Sequence, residues 1–264
     1  MDRIVVITGG SGVLCSAIAK GMAREGWKIA ILNRTPEKGQ RIAEAIEAFG
    51  GTARAYPGDV QQKESIEAVQ AEILDDFGRV DVLINGAGGN RPGATVDSDH
   101  SFFDLPEDEL RNVIDLNLMG TVLPSQVFGR VMGSMGAGSI INIASMAGIR
   151  PLTNVVGYGA AKAAVVNFTQ WLAVYMSQNV HPGIRVNAIA PGFFITDQNR
   201  YLLTEKDGGY TKRGKAVLAH TPMGRFGKPE DLVGAALFLA DSEKSGFITG
   251  VVLPVDGGFA VTSI

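Results

Sequence analysis

The chain has 264 residues, 45% hydrophobic and 19% charged, a composition that supports a large buried core and, at this length, a single α/β domain over residues 1–264. A formal net charge of −3 provides no general attraction for nucleic acid or an anionic membrane. One cysteine excludes an internal disulfide or a cysteine metal cage and fits a reducing compartment. The first residues lack the apolar core and cleavage site of a signal peptide, and no apolar run is long enough to cross a bilayer, so a cytoplasmic location is expected.

In chain order, Ile4–Thr8 reads as a buried strand. It is followed by TGGSGVLC (residues 8–15) and a helix over Leu14–Glu25, with Ile18, Ala19 and Met22 on one side and Gly26 as its stop. Ile29–Asn33 is a second strand, and Thr35-Pro36 starts a helix with proline at its first position. Ala53–Tyr56 is a third strand, Glu64–Phe77 a helix and Val80–Asn85 a fourth strand. A long helical region over Glu107–Phe128 precedes a fifth strand, Ser139–Ala144. The helix Tyr158–Ser177, the strand Ile184–Ala190, the helix Asp231–Ala240 and the strand Val251–Val255 complete the series. Strands alternating with helices predict a Rossmann-type, doubly wound fold: a seven-stranded parallel sheet with helices on both faces, joined by right-handed crossovers. The polar stretch 193–223, with a helical hint at Asn199–Leu203, reads as an inserted substrate loop.

In such a sheet, ligands sit beyond the carboxyl ends of the strands. The TGGSGVLC turn follows the first strand, where glycines admit a phosphate and a helix N-terminus favours its charge. At the second strand's end the chain reads Asn33-Arg34, with no acid for an NAD ribose and an arginine suited to a 2′-phosphate. NADP(H) is therefore expected over NAD(H). Tyr158 and Lys162, four residues apart, share a helix face. A phenol beside a cation can exchange a proton with an alcohol oxygen. Ser145 lies thirteen residues earlier, just beyond a strand, where its hydroxyl can hold a carbonyl oxygen. Asn117 is an uncharged amide in a core-facing helix.

Together, TGGSG, Gly58-Asp59-Val60, Asn85-Gly86-Ala87-Gly88, Asn117, Ser145, Tyr158-x-x-x-Lys162, Pro191-Gly192-x-x-x-Thr196 and Asp256-Gly257-Gly258 resemble a classical short-chain dehydrogenase/reductase from Arg3 to about Phe259. The resemblance implies Tyr158 as general acid/base, Lys162 as its activator and a ribose ligand, Ser145 as the group orienting the substrate carbonyl, and Asn117 as holder of a proton-relay water. It implies cofactor contacts from Asp59, Val60, Asn85, Ala87, Gly88, Lys162, Pro191, Gly192 and Thr196, and Gly9, Ser11, Gly12, Leu14, Asn33, Arg34 and Tyr158 complete the expected cofactor site. It also implies a homotetramer assembled through the helices carrying Asn117 and Tyr158 and the C-terminal strand.

One feature departs from the family's TGxxxGxG pattern. Aligned from Thr8 without gaps, its second glycine falls on Val13 and its third on Cys15, and Gly12 comes one residue early. Gly12 and the amide near Leu14 are therefore expected to face a pyrophosphate, with Cys15 buried. Residues 85–90, 103–105, 190–194, 198–200 and 220–227, with the shifted loop, resemble the short-chain-type D-mannonate oxidoreductases (fructuronate reductases). That resemblance implies interconversion of D-fructuronate and D-mannonate. Asn90, Arg91, Arg150, Asn199, Arg200 and His220 are candidates for the pocket rim, and Asn90, Ser145, Tyr158 and Arg200 are the expected substrate ligands. Reduction of another ketone, of keto-gluconate or 3-oxoacyl type, and a non-catalytic dinucleotide sensor are the alternatives. No metal site is expected: the three histidines are scattered, and Asp97-Ser-Asp-His lacks the glycine and glutamate of a calcium loop. There is no G-x-S-x-G hydrolase elbow.

Overall fold

The structure is a computed structural model that describes residues 3–97, 100–196 and 199–262. Among them, seven strands form one parallel sheet in the order β3-β2-β1-β4-β5-β6-β7. The strands are β1 (Ile4–Thr8), β2 (Lys28–Asn33), β3 (Ala53–Pro57), β4 (Val82–Asn85), β5 (Gly138–Ile143), β6 (Ile184–Pro191) and β7 (Val252–Val255). Alternation of side chains along each strand sends apolar residues to both faces. Val5, Ile7, Ile29, Ile31, Val82 and Ile84 meet α1 (Val13–Arg24), α2 (Pro36–Glu47) and, further along, α9 (Val233–Ala240) on one side. Val6, Leu32 and Leu83 meet α3 (Lys63–Phe77), α5 (Gly120–Met135) and α6 (Val156–Tyr175) on the other. The predicted doubly wound sheet with helices on both faces is thus present.

The predicted helix over 107–128 is interrupted. It consists of α4 (Glu107–Ile114), a wide π turn at Asp115–Met119, and α5, which continues to Met135. Asn117 lies in that turn, completely buried, and its amide leaves the helix to bond the loop after β4. Such a turn loosens the regular ladder and turns a side chain away from the helix. The stretch 193–223 also holds more structure than its polarity suggests. It contains α7 (Arg200–Leu203) and α8 (Lys212–Ala219), whose buried Leu203 and Val217 form a small core with Phe226 just beyond the stretch. α10 (Ser242–Ser245) completes the helices.

The order of the sheet reverses between β1 and β4, whose ends are tied together. Thr8, fully buried, pairs in register with Asn85, and its hydroxyl accepts bonds from the N–H groups of Gly86 (3.1 Å) and Ala87 (3.2 Å). Cys15, 4% exposed, sits directly against this seam. A Cβ on Gly86 would run into the Cys15 sulfur and stand 2.9 Å from the Thr8 carbonyl oxygen. The close approach supplied by a glycine in the common loop pattern is supplied here by Gly86 on the facing loop. Gly86→Ala is expected to cost about 3 kcal/mol in urea unfolding, as overpacking does, and the Cys15→Ala, Gly86→Ala double variant to be more stable than Gly86→Ala alone. Simple additivity of the two changes would show that they do not share this contact.

Candidate active site

The loop after β1 bends so that Gly9 takes φ +63°, and a Cβ there would stand 2.7 Å from the Ala87 Cα. Only glycine meets both demands. Gly12 is the N-cap of α1, and its own N–H is used, donating to the Gly9 carbonyl at 2.9 Å. The N–H groups of Val13, Leu14 and Cys15 follow it at the helix start with no backbone acceptor and no capping side chain. They are the donors free for a phosphate, with the helix dipole favouring an anion.

Two adjoining clefts open here. One, of about 430 Å³, runs from Gly9, Ser11, Gly12 and Leu14 past Gly88 to Ser145, Tyr158, Lys162, Pro191, Gly192 and Thr196. The other, of about 250 Å³, is bounded by Asn33, Arg34, Lys38, Asp59, Val60 and Ala87. These residues fit a dinucleotide extended across the reversal in strand order, with phosphates at α1 and an adenosine end between β2 and β3. The Asn33 amide oxygen is buried without a donor, and its nitrogen bonds the Thr35 carbonyl. Asp59 accepts from the Gln61 N–H at 3.0 Å. Asn85 borders neither cleft. It is 1% exposed, and its amide donates to the Ser125 hydroxyl and the Asn142 side chain, both at 2.9 Å, so it fastens sheet to helix beneath the site. Lys38, which belongs to no motif, lies on both cleft walls because α2 starts just after Arg34 and Thr35.

Tyr158 and Lys162 project from the start of α6, and Ser145 follows β5. The Lys162 Nζ donates to the Ile143 carbonyl at 2.6 Å and lies 5.7 Å from the centre of the Tyr158 ring. The ammonium thus faces the ring and is hydrogen-bonded to β5. Burial raises the Tyr158 pKa above 10, and a hydrogen bond with Ser145 opposes the rise. The Ser145 oxygen also accepts from the Ala147 N–H at 3.1 Å, leaving its proton free to donate. Lys162 is 4% exposed. Burial lowers its pKa from 10.5 to about 8, against an opposing influence of the Cys15 thiol, itself raised by burial to about 12. Asn117 spends its amide on protein groups: it donates to the Gly89 carbonyl (2.7 Å) and the Val113 carbonyl (2.8 Å) and accepts from the Gly89 N–H (3.1 Å). In this state it is a positioning residue that sets the loop lining both clefts.

A third cavity, of about 190 Å³, adjoins Ser145 and Tyr158 and is walled by Asn90, Arg91, Leu152, Phe193, Thr196, Tyr201 and Arg213. Asn90 stands in it. Arg200 is exposed and is not on its wall. Arg150 lies outside it as well, donating to the carbonyls of Phe259, Ala260 and Thr262. Asn199 uses its side chain to brace its own loop, at Thr196 and Phe194. His220 bonds the Ala216 carbonyl. Gln198 lies outside the described residues, as do two residues of the Asp97-Ser-Asp-His run. Among the described residues no group of three or more acidic, histidine or cysteine side chains could hold a metal ion, and no helix is long and apolar enough to cross a membrane.

A phenol, a hydroxyl and a buried ammonium thus stand together beside a cleft whose lining fits a dinucleotide. A family model described as enoyl-(acyl carrier protein) reductase matches residues 12–260. The chain belongs to the short-chain dehydrogenase/reductase family. It is 51% identical to "Uncharacterized oxidoreductase UxuB" of Bacillus subtilis (strain 168), over 99% of this chain and 96% of that one. The crystal structure of a "putative D-Mannonate oxidoreductase" from Haemophilus influenza with bound NAD is 48% identical, with a TM-score of 0.92 over 99% of this chain and 96% of that one. A "putative NAD(P) dependent gluconate 5-dehydrogenase" from Beutenbergia cavernae with bound NADP at low occupancy is 34% identical, with a TM-score of 0.86 over 98% and 97%. The protein is an NAD(P)-dependent oxidoreductase of this family, acting on a small molecule.

The lysine carries a stability signature. Between pH 8 and 10.5 an unfolded chain keeps a proton on Lys162 that the native protein has released, so native stability rises with pH across that window. Relative to Lys162→Met, the wild type is expected to gain up to about 3 kcal/mol from pH 7 to pH 10.5. Both proteins retain Cys15, so its opposite pH dependence largely cancels. Urea unfolding at several pH values measures the difference, and a flat difference would show that Lys162 is not titrating in this window.

Proposed function

We propose that the protein interconverts a keto-sugar acid and its alcohol, D-fructuronate and D-mannonate being the pair, through a single catalytic domain spanning residues 1–264. The observation that carries this reading is the make-up of the cavity beside Ser145 and Tyr158. Its charged lining residues are Arg91 and Arg213, with no acidic side chain among the described ones. The Asn90 amide oxygen is buried there with no donor, its nitrogen being held by the Thr95 hydroxyl at 2.8 Å. A cationic pocket with a waiting acceptor suits an anion that carries hydroxyl groups. The name of the Haemophilus relative supports the same substrate.

In the reducing direction the Ser145 hydroxyl donates to the substrate carbonyl oxygen and holds it beside the Tyr158 phenol. Tyr158 delivers its proton to that oxygen as the carbonyl carbon is reduced, and later recovers one from solvent. The nicotinamide, when bound, supplies or accepts the hydride. Lys162, held by Ile143, keeps positive charge under the phenol ring and so favours the phenolate that remains. The segment 193–223, which contributes Phe193, Thr196, Tyr201 and Arg213 to the pocket, acts as the substrate lid.

NADP(H) is the preferred cofactor in this reading. No carboxylate stands at the end of β2, and exposed Arg34 and Lys38 flank the adenosine-side cleft, where a 2′-phosphate would gain two cations. The protein works in the cytoplasm as a homotetramer. In support, Phe168, Trp171 and Tyr175 stack along α6, with centroids 6.5 and 5.2 Å apart, beside a groove of about 800 Å³ that α5 shares.

A panel of uronates, keto-gluconates, 3-oxoacyl thioesters and neutral ketones, assayed with NADPH and NADH, is expected to give its highest kcat/KM with D-fructuronate and NADPH. Tyr158→Phe is expected to abolish turnover while leaving cofactor affinity unchanged, and Arg34→Ala to raise the KM for NADPH about 10-fold with little change for NADH. Equal or better rates on neutral ketones would overturn the substrate, and a wild-type preference for NADH would overturn the cofactor. Light scattering measures the assembly.

A further inference from the structure

We infer that Arg213 is the residue that selects a carboxylate-bearing substrate over its neutral counterpart, an inference that rests on the reading of the cavity as a sugar-acid site. Two guanidinium groups reach this cavity, and their surroundings differ. Arg91 is partly neutralised, with the Glu109 carboxylate 3.7 Å from its Nη1. Arg213 has only neutral partners, the Thr153 hydroxyl at 3.3 Å and the Thr153 carbonyl at 3.5 Å, and no carboxylate lies within 4.0 Å of it among the described residues. Both are long contacts, which a stronger anionic acceptor displaces readily.

The local fold presents this side chain from a fixed base. The N-cap of α8 is Thr211, whose hydroxyl accepts from the Gly214 N–H at 3.0 Å and donates to the Leu202 carbonyl at 2.6 Å. Gly214 is buried, and a Cβ there would collide with the Leu203 carbonyl, so α8 lies backbone to backbone on α7. Arg213 stands between these two anchors. Thr153 belongs to the segment that follows Ser145 and precedes α6, so the guanidinium bridges the inserted loop to the wall that carries the catalytic hydroxyls. A carboxylate bound by Arg213 would therefore both neutralise the one cation without an acidic partner on this wall and hold the insertion against the site. Arg150 and Arg200 lack this placement.

The test compares wild type, Arg213→Gln, Arg213→Lys and Arg91→Gln on two acid and neutral pairs: D-fructuronate with D-fructose, and 5-keto-D-gluconate with L-sorbose. NADPH and NADH affinities are measured by fluorescence titration and folding by thermal melting. Arg213→Gln is expected to lower kcat/KM for the better acid 10- to 100-fold, mainly through KM, and that for its neutral counterpart less than about 3-fold, with cofactor affinity unchanged. Arg213→Lys is expected to recover part of the loss, and Arg91→Gln to have the smaller effect. Equal losses on acid and neutral compounds, no loss, or a larger effect at Arg91 would overturn the assignment to Arg213 while leaving the sugar-acid reading intact. A wild type that does not prefer the acids would overturn that reading and this assignment together.

Discussion

The site depends on the seam between β1 and β4. The chain must leave these neighbouring strands in opposite directions, and the opening so formed would splay without a tie. The Thr8 hydroxyl provides one by accepting two N–H groups from the β4 loop. Asn117 provides another from below, taking both the N–H and the carbonyl of Gly89. Gly86 lets the Cys15 sulfur press into the same seam. With the two loops held, the open N–H groups at the start of α1 and the walls of both clefts face a common space. Lys162 and Ser145 inherit their position from this frame, since Lys162 is bonded to β5 and Ser145 follows it.

Electrostatics within the frame are governed by burial more than by pairing. Tyr158, Lys162 and Cys15 all have pKa values displaced toward the neutral form, the expected direction when charge is removed from water. The protein thus holds a lysine in which the charged and neutral forms are nearly balanced at mildly alkaline pH, beside a phenol that resists ionisation. An arrangement of this kind leaves the ionisation of the pair responsive to any charge placed in the cleft. The third cavity is a contrast: neither of the two arginines on its wall is buried.

Much of the architecture was legible in residue patterns. β-branched runs separated by amphipathic stretches indicated seven strands and the helices on both faces, because burial on two sides demands mostly apolar residues along the central strands, as in β1 and β4. Tyr158, Lys162, Ser145 and Thr196 could be placed on one rim because all lie just beyond strands or at a helix start. The π turn at Asn117 was not legible, since its apolar spacing continues that of the flanking helices. α8 was also missed. Its apolar face is short and packs against a local core, and its one signal was a threonine cap ahead of Gly214. Nor does the place of Asn85 after β4 reveal that its side chain enters the buried amide network.

Residue pattern alone was enough for the layer architecture, the position of the glycine-rich loop after β1 and the chemical types gathered around Tyr158. These follow from local periodicity and from where strands end. Packing settles which arginines line the third cavity, how a cysteine takes the place of a loop glycine, and which asparagine side chains serve as braces. Each of those depends on groups distant in the chain: Arg213 and Thr153, Cys15 and Gly86, Asn117 and Gly89. Distances between such pairs are set by how the helices and loops pack, and no spacing within a single segment encodes them.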